Sequence, residues 1–197
     1  MAAKVCVVAG AGPGTGAALC RRFAAGGYRV AMLARDTDRL AALEREIEGS
    51  RGYAVDVSNA AAVKDVVGRI TSDLGKPAVL VHNAVAGHFG EFLDVPPEAL
   101  ELTFRTNVMS LMHLGQALVP AMIEQGGGAI VVTGNTSAWR GSANFAGFAP
   151  SKAAQRILAQ AMARSLGPKG SHVAYVVIDA VIYGPWTRTA CASRPDE

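Results

Sequence analysis

The sequence predicts an α/β fold in which a doubly wound parallel sheet carries helices on both faces. Short apolar runs alternate with segments of helical periodicity along the chain, which is typical of crossover units that join parallel strands. Apolar runs such as Val79-Leu80-Val81 show no polar alternation, as expected when both faces of a strand are covered. A glycine-rich turn also separates the first apolar run from the first helical segment.

Each element of the first half is predicted from its own pattern. The first strand is a short apolar run that stops at the glycine-rich turn, and the segment 14–25 after the turn has helical character. Leu40, Leu43 and Ile47 recur at helical spacing. Between Val63 and Leu74, apolar residues form a stripe at i, i+3, i+4, i+7 and i+11. Strands are predicted at 4–9, 28–34, 52–57 and 78–82.

The second half continues the alternation with longer helices. A helical stretch covers about 97–124, with Thr103 as a candidate break, and three glycines form the turn that follows. The helix at 149–166 places Ile157, Ala161 and Leu166 on one face. No internal repeat or linker-like composition interrupts the chain, so residues 1–197 are expected to form a single dinucleotide-binding domain. The last two predicted strands are 129–133 and 172–178.

Composition excludes several classes of function. Hydrophobic residues make up 50% and charged residues 18% of the chain, which is typical of a soluble globular protein. The net charge of +3 is small and scattered, so no nucleic-acid partner is expected. No apolar run has the length of a membrane span, and the start lacks a signal-peptide pattern, so we expect a cytoplasmic protein without a membrane partner. Cys6, Cys20 and Cys191 form no metal or redox motif and the histidines lack ligand spacing, so no metal is expected, and Cys6 and Cys20 should be buried, inert thiols.

The glycine-rich turn predicts a dinucleotide site. It reads Ala-Gly-Ala-Gly-Pro-Gly-Thr-Gly, and glycines there let the backbone turn tightly and approach a pyrophosphate at a helix N-terminus. Two registers fit the spacing. Gly12, Gly14 and Ala17 match the general pattern G-x-G-x-x-G/A, whereas Gly10, Gly14 and Gly16 match G-x-x-x-G-x-G.

The end of the second strand indicates which nicotinamide dinucleotide is bound. An acidic residue at this point would accept hydrogen bonds from a ribose 2′-hydroxyl, whereas a nearby arginine accommodates a 2′-phosphate. Arg35 comes directly after the strand and Asp36 follows it. We therefore expect NADP, with NAD as the less favoured cofactor.

Further motifs resemble those of the short-chain dehydrogenase/reductase family. Asp56-Val57 resembles the pair that contacts adenine, and His82-Asn83-Ala84-Val85 resembles the Asn-Asn-Ala-Gly motif with its outer positions changed. Asn107 matches the helix asparagine that helps to hold the active-site lysine, here Lys152. The resemblance covers essentially the whole chain and implies a Rossmann-like fold. The cofactor-binding residues that it implies are Gly10, Gly14, Thr15, Gly16, Arg35, Asp56, Val57, Asn83, Ala84, Lys152 and Ile182.

Phe148 marks a departure from this family. The family carries a tyrosine four residues before the lysine, and that tyrosine supplies the proton of the reaction, whereas phenylalanine has no proton to give. Thirteen residues before Phe148, where the family has serine, stands Asn135, followed by Thr136 and Ser137. Asn135 could donate a hydrogen bond to a developing oxyanion, and a small shift of the loop could bring either hydroxyl into the serine's place. The candidate catalytic positions are Asn107, Lys152, Asn135, Ser137 and Phe148.

Substitute proton donors can be named from the sequence. They are a water held by Lys152, the hydroxyls of Ser137 and Tyr183, and Asp179 if burial raised its pKa. Asp179-Ala180 replaces the Pro-Gly pair of the family after strand six. Gly184 replaces the threonine that reaches the nicotinamide amide in the family, while Ile182 keeps the hydrophobic position between them.

Members of the family normally continue beyond the position of Pro185 through a substrate-loop helix and a seventh strand. We therefore expect the last strand of the sheet to be missing and the sixth strand to form an exposed edge. The family also pairs through its two long helices, so a homodimer or homotetramer is expected.

Three functional hypotheses follow. The first is an NADP-dependent oxidoreductase that transfers a hydride between nicotinamide and a small-molecule carbonyl or alcohol, with atypical acid–base residues. The second is a non-catalytic NADP-binding protein or scaffold, indicated by Phe148, Asn135 and Asp179. The third is a fragment that works only inside an oligomer. The kept cofactor motifs together with Lys152 favour the first.

Overall fold

Six parallel strands form the centre of the molecule. The computed structural model describes residues 3–180 and 182. The strand order is β3-β2-β1-β4-β5-β6, and every neighbouring pair is parallel. The direction of winding reverses between β1 and β4, and ligands of such sheets bind in the crevice at the carboxyl ends of the strands beside this point.

The helices and strands agree with the predicted alternation. The strands are β1 Val5–Ala9, β2 Arg29–Ala34, β3 Ser50–Ala54, β4 Pro77–His82, β5 Ala129–Asn135 and β6 His172–Ile178. The helices are α1 Thr15–Ala25, α2 Thr37–Glu46, α3 Ala60–Leu74, α4 Pro97–Phe104, α5 Ser110–Glu124 and α6 Ala149–Leu166. A π-helical segment, Arg105–Met109, joins α4 to α5, and short 3-10 turns follow β5 and α6.

Two hydrophobic clusters cover the two faces of the sheet. On one face, apolar side chains of the strands pack against α3, α5 and α6 through residues such as Ile70, Leu114 and Ala159. On the other face, Val8 and Met32 pack against α1 and α2 through residues such as Cys20 and Leu43. This arrangement confirms the doubly wound α/β fold with helices on both faces.

The third strand differs from its predicted range. It covers Ser50–Ala54 rather than 52–57, because it pairs with β2 from Val30↔Ser50 to Ala34↔Ala54 and ends where β2 ends. Asp56 and Val57 consequently lie in the loop after the strand, at the carboxyl edge of the sheet. Periodicity could not find this boundary, because the residues that continue the apolar pattern belong to a loop packed on the same core.

The long helical stretch also differs in one detail. The irregularity predicted near Thr103 is a π-helical segment, Arg105–Met109, which begins two residues after it, so the chain widens there but stays helical. Single π turns are frequent at functional sites. Asn107 lies inside this one.

Several smaller expectations concern the sheet edge and the buried groups. β6 is an edge strand of the sheet, and Val176 and Val177 on it are exposed. Cys6 and Cys20 are buried, and burial raises the pKa of both thiols, that of Cys20 to about 12.

No helix within 3–180 combines the length and the hydropathy needed to span a bilayer. The same residues contain no cluster of histidine, cysteine or carboxylate side chains suited to a metal ion. Cys191 lies outside the described residues.

Candidate cofactor and active site

The glycine turn after β1 has a conformation that decides between the two predicted registers. Gly10 has φ +89°, and a Cβ atom there would lie 2.6 Å from the backbone nitrogen of Ala84. A Cβ on Gly16 would lie only 2.2 Å from the carbonyl oxygen of Gly10. Gly12, in contrast, has no neighbouring atom within 4 Å of such a Cβ. Gly14 also has open space around it but has φ +83°, a conformation that favours glycine. Close packing at Gly10 and Gly16 and the positive φ of Gly14 therefore favour the register Gly10, Gly14 and Gly16.

Asn83 connects this turn to the end of β4 through hydrogen bonds. Its side-chain Nδ2 donates to the Gly10 carbonyl at 2.9 Å, and its Oδ1 accepts from Thr133 Oγ1 at 3.0 Å. The backbone nitrogen of Asn83 donates to the Ala9 carbonyl. Asn83 thus fixes the relative positions of three strand ends, and Ala84 follows it against the turn.

A cleft of about 890 Å³ opens at the carboxyl ends of the strands, beside the glycine turn and the first turn of α1. We call it the cofactor cleft. Its lining includes most of the residues predicted to bind a cofactor: Gly10, Thr15, Gly16, Arg35, Asp56, Val57, Asn83 and Ala84. Gly14 is the N-cap of α1. The cleft therefore combines a helix N-terminus with a backbone that a ligand can approach closely, as anionic pyrophosphate requires.

A second concavity, of about 640 Å³, lies beside Tyr28 and Glu46. It is bordered by the C-terminal ends of α1 and α2 rather than by a helix N-terminus. Helix C-termini carry partial negative charge and disfavour anions. The cofactor cleft is therefore the candidate site.

At the end of β2, two arginines line the cofactor cleft, and the nearby Asp36 carboxylate is already hydrogen-bonded within its own helix. Asp36 is the N-cap of α2, where its Oδ1 accepts from the backbone nitrogen of Arg39 at 3.0 Å and its Oδ2 pairs with Arg39 Nη2 at 3.1 Å. Arg35 and Arg39 both line the cleft and are exposed. The Asp36 carboxylate is thus already occupied by its own helix.

Asp56 lies in the loop after β3 and closes the adjacent part of the cofactor cleft. Its Oδ1 accepts from Ser58 N at 2.9 Å and from Ser58 Oγ at 2.8 Å. These hydrogen bonds, together with the nearby charges of Arg35 and Arg105, hold the pKa of Asp56 below its ordinary value. The carboxylate is therefore ionised and held in one orientation.

Hydrogen bonds of the Asn107 side chain connect the π-helical segment to the loop after β4. Its Oδ1 accepts from Ala86 N at 2.8 Å, and its Nδ2 donates to Ala86 O at 2.9 Å and to Ser151 Oγ at 2.8 Å. The side chain is fully buried. Asn107 thus connects three parts of the site, among them the first turn of α6, which carries Lys152.

Lys152 is buried in the first turn of α6 and is not among the residues that line the cofactor cleft. It lies close to the cleft, because its partner Thr133 is hydrogen-bonded to Asn83, which does line it. Its Nζ donates to the Thr133 carbonyl at 3.0 Å and to Gln155 Oε1 at 2.5 Å. Burial lowers the pKa of Lys152 from 10.5 to about 8. Lys152 is therefore a cation that titrates close to neutral pH.

Phe148 is the N-cap residue of α6 and is only 6% exposed. Its ring lies 5.3 Å from that of Phe89 and 6.4 Å from that of Phe145, measured between centroids. Gly87 packs directly against the ring as well. The position that holds a tyrosine in the resembled family is thus the centre of an aromatic cluster.

Asn135 and Ser137 lie on β5 and on the 3-10 turn that follows it. The Oδ1 atom of Asn135 is buried and has no hydrogen-bond partner among the described residues. Ser137 is half-buried in the turn Thr136–Ala138. An unpaired buried acceptor is costly unless a ligand or water satisfies it.

The structure describes only some of the candidate residues that follow β6. Asp179 is exposed, so the burial that would have made it a substitute acid is absent. Ile182 is 45% exposed. Tyr183 and Gly184, the other two positions singled out in this segment, lie outside the described residues.

Comparison with known proteins agrees with this geometry. A sequence model of the short chain dehydrogenases matches residues 4–193. The chain belongs to the short-chain dehydrogenase family.

Individual members of the family are similar over most of this chain. A short chain dehydrogenase of Pseudocercospora fijiensis is 33% identical over 174 residues, which cover 85% of this chain and 56% of that protein. L-sorbose reductase from Gluconobacter frateurii, solved with NADPH and L-sorbose, superposes with a TM-score of 0.90 at 27% identity and covers 100% of this chain and 77% of its own. An NAD⁺-bound xylitol dehydrogenase superposes with a TM-score of 0.85 at 31% identity and covers 88% of this chain and 69% of its own. The present chain thus spans little more than half the length of the first of these short-chain dehydrogenases.

The sequence predicts no role in this short-chain dehydrogenase site for Arg39 or Gln155, and it identifies His82 only as part of a family motif. Arg39 could have been found, because it lies in the first turn of the helix that follows Arg35. Gln155 and His82 gave no such signal, because a lone polar residue within an apolar pattern does not reveal its partner. Only the fold brings them together, at 3.3 Å between Gln155 Nε2 and His82 Nδ1.

Proposed function

We propose that this protein binds NADP(H) and transfers a hydride between the nicotinamide and the carbonyl or alcohol group of a small molecule. The observation that carries the proposal is the arrangement at the end of β2, where Arg35 and Arg39 line the cofactor cleft while Asp36 is engaged as a helix cap. Two guanidinium groups suit a 2′-phosphate, because arginine binds phosphate with paired, charge-assisted hydrogen bonds. A free carboxylate that would bind a ribose 2′-hydroxyl and repel that phosphate is not available there.

The residues around the rest of the cleft fit the same cofactor. Gly10 and Gly16 leave the space that a Cβ would fill, next to the N-terminus of α1, where the pyrophosphate would be held. Asp56 and Val57 would contact the adenine, as the family resemblance implies. When bound, the nicotinamide supplies or accepts the hydride.

Lys152 and Asn107 would organise the reacting end of the site. Lys152 is a cation with two of its three N–H donors committed to Thr133 and Gln155, which leaves one donor for a ribose hydroxyl. Asn107 holds the π-helical segment and the start of α6 in register. Asn135, whose buried amide oxygen is unpaired, could bond a substrate hydroxyl, while its amide nitrogen could donate to a carbonyl oxygen.

The proton must come from a group other than residue 148. One candidate is the hydroxyl of Ser137. The other is a water on the third N–H of Lys152, which can hold it only while that N–H does not bond the ribose. A positioned acid contributes about 10²–10⁴-fold to rate. The wild-type protein is therefore expected to be a slow reductase.

A second reading has its own support. Phe148 is buried within the cluster with Phe89 and Phe145, so the apolar ring contributes to packing at the place where chemistry would occur. In that reading the protein binds NADP without turnover and acts as a non-catalytic binding protein or scaffold.

A carbonyl screen separates the two readings. Purified protein and Lys152→Ala are incubated with NADPH and a panel of ketones and aldehydes, and the loss of NADPH absorbance is followed. A slow rate that disappears in Lys152→Ala supports the oxidoreductase. NADPH binding without turnover of any member of the panel supports the non-catalytic reading.

We extend the proposal to a cytoplasmic protein that self-associates as a homodimer or homotetramer. Exposed apolar side chains on the two long helical segments, Met109 before α5 and Ile157 on α6, support the pairing of helices. Light scattering coupled to gel filtration tests the oligomeric state, and a monomer at micromolar concentration would contradict it.

A further inference from the structure

A buried network of polar groups surrounds the Lys152 ammonium. We call it the lysine network, and it consists of Lys152, Gln155, His82, Ser110 and the carbonyl group of Asn107. His82, Gln155 and Ser110 are each 0% exposed. Buried polar groups are costly unless they are paired, so the pairing of the Gln155, His82 and Ser110 side chains at this position is informative.

The hydrogen bonds of the lysine network fix the orientation of the Gln155 amide. Gln155 Oε1 accepts from Lys152 Nζ at 2.5 Å, so the amide nitrogen must point the other way. That nitrogen donates to the Asn107 carbonyl at 2.7 Å and to His82 Nδ1 at 3.3 Å. The reverse orientation of the amide would place its NH₂ group against the Lys152 ammonium and an oxygen against a carbonyl.

The orientation of Gln155 determines the proton position on His82. Because Nδ1 accepts from Gln155, the proton of the neutral ring must lie on Nε2, which donates to Ser110 Oγ at 2.6 Å. Ser110 in turn donates to the Thr106 carbonyl at 2.5 Å. Burial and the charge of Lys152 lower the pKa of His82 to about 3, so the ring stays neutral.

We propose that Gln155 and His82 are positioning residues for Lys152: the Nε2–H form of His82 locks the Gln155 amide with its oxygen towards Lys152, and this holds the ammonium so that one N–H remains directed to the cofactor cleft. The inference rests on the proposed function only in naming NADP(H) as the partner of that last N–H. Neither residue touches the reacting atoms.

The other groups around Lys152 do not provide this function. Thr133 offers only a backbone carbonyl. Tyr175 on β6 faces the backbone carbonyl of Lys152 with its hydroxyl at 3.4 Å, and burial raises its pKa, so it is neutral; Arg156 adds a positive charge beside it. Gln155 is therefore the side-chain acceptor that stabilises the Lys152 cation within the described part of the chain.

Substitution of Gln155 tests the proposal through the pH dependence of NADPH binding, followed by fluorescence titration. Binding by the wild type should weaken as Lys152 loses its proton, near pH 8. Gln155→Glu places a carboxylate beside the ammonium and should shift that midpoint upward by about one pH unit or more. Gln155→Leu removes the acceptor and should shift the midpoint downward. Gln160→Glu and Gln160→Leu, on the same helix but away from Lys152, are matched controls and should shift neither way.

The tautomer of His82 gives a second readout that needs no cofactor. Nitrogen-15 NMR of the histidine side chains, with the His82 signals assigned by their loss in His82→Gln, should show a neutral Nε2–H ring from pH 5 to pH 9. An imidazolium or an Nδ1–H ring would overturn the inference, as would shifts of the same sign in the two Gln155 variants. If the wild type does not bind NADPH, the proposed function fails, and the His82 tautomer alone then decides the positioning role.

Discussion

At the scale of one residue, Phe148 takes the place of the family's proton donor, while other residues of the candidate site are kept. Lys152 and Asn107, which accompany the tyrosine in the family, are both buried and hydrogen-bonded in this chain. The phenylalanine ring is held by Phe89 and Phe145. The tyrosine hydroxyl is therefore absent at position 148, and asparagine replaces the family's serine at position 135, while Lys152 and Asn107 are in place.

Restoring that hydroxyl should restore a proton donor. We expect Phe148→Tyr to raise the rate of NADPH-dependent carbonyl reduction by about 10²–10⁴-fold, because the cation of Lys152 lowers the pKa of a nearby phenol. The measurement is NADPH oxidation with the same carbonyl panel. Phe145→Tyr adds a hydroxyl to the same aromatic cluster and should give no such gain. An unchanged rate in Phe148→Tyr, with a normal melting transition, would show that more than the proton donor is missing.

The burial of neutral His82 has a consequence for stability in acid. Its pKa is about 3 in the folded protein and 6.5 for a histidine in water, so the unfolded chain binds a proton that the folded chain does not as the pH falls from about 6.5 towards 3. Stability should therefore decrease over this window, by about 2 kcal/mol at pH 5 from this residue alone.

Urea unfolding at pH 7 and pH 5 measures this effect. The loss of stability between the two pH values should be smaller in His82→Gln than in the wild type, whatever the absolute stability of the variant. His172→Gln, which changes an exposed histidine, should lose as much as the wild type. Equal losses in His82→Gln and the wild type would contradict a buried, neutral His82.

At the scale of an element, the glycine turn determines whether β1, β4 and α1 can meet. Gly10 and Gly16 are the positions where neighbouring backbone leaves no room for a side chain, and Asn83 bonds the turn from the next strand. The π-helical segment has a similar function on the other side of the cleft, because it aims Asn107 at Ala86 and Ser151. The turn acts through close backbone packing, and the π-helical segment acts through the side-chain amide of Asn107.

Substitution in the glycine turn should therefore depend strongly on position. We expect Gly10→Ala to destabilise the fold by about 2–4 kcal/mol, because the new Cβ would both meet the backbone of Ala84 and require a positive φ. Gly12→Ala should change stability by less than about 1 kcal/mol, since nothing lies near its Cβ. Thermal or urea unfolding of the two variants compares them directly, and equal losses would mean that Gly10 is not the constrained position.

At the scale of the whole molecule, much of the structure could be predicted from the sequence, because periodicity and glycine spacing are local signals. They predicted the alternation of strands and helices, the parallel sheet and the position of the cofactor cleft. They could not choose the glycine register, because Gly12 and Gly10 differ in backbone φ and in what packs against them, and neither is visible in the sequence. The lysine network could not be predicted either, because its hydrogen bonds join residues of β4, α5 and α6 that are far apart in the chain.

The two halves of the candidate site also resemble the family to different degrees. The residues proposed to hold the cofactor line the cleft from the glycine turn to Asn83, whereas the proposed reacting half carries Phe148 and Asn135. Cofactor binding and turnover can therefore be tested separately, and binding can be measured first. A ligand that binds only the folded state also raises the melting temperature, which gives a second readout of binding.

Titration with NADPH and NADH, followed by cofactor fluorescence in the wild type and in Arg35→Ala/Arg39→Ala, tests the central claim most directly. We predict saturable binding of NADPH that is tighter than binding of NADH, and a loss of about 10–100-fold in NADPH affinity in the double variant with little change for NADH, because only NADPH carries the 2′-phosphate. Arg164→Ala, on the far end of α6, should bind as the wild type does. No saturable binding of NADPH, or an equal loss for both dinucleotides in the double variant, would contradict the account.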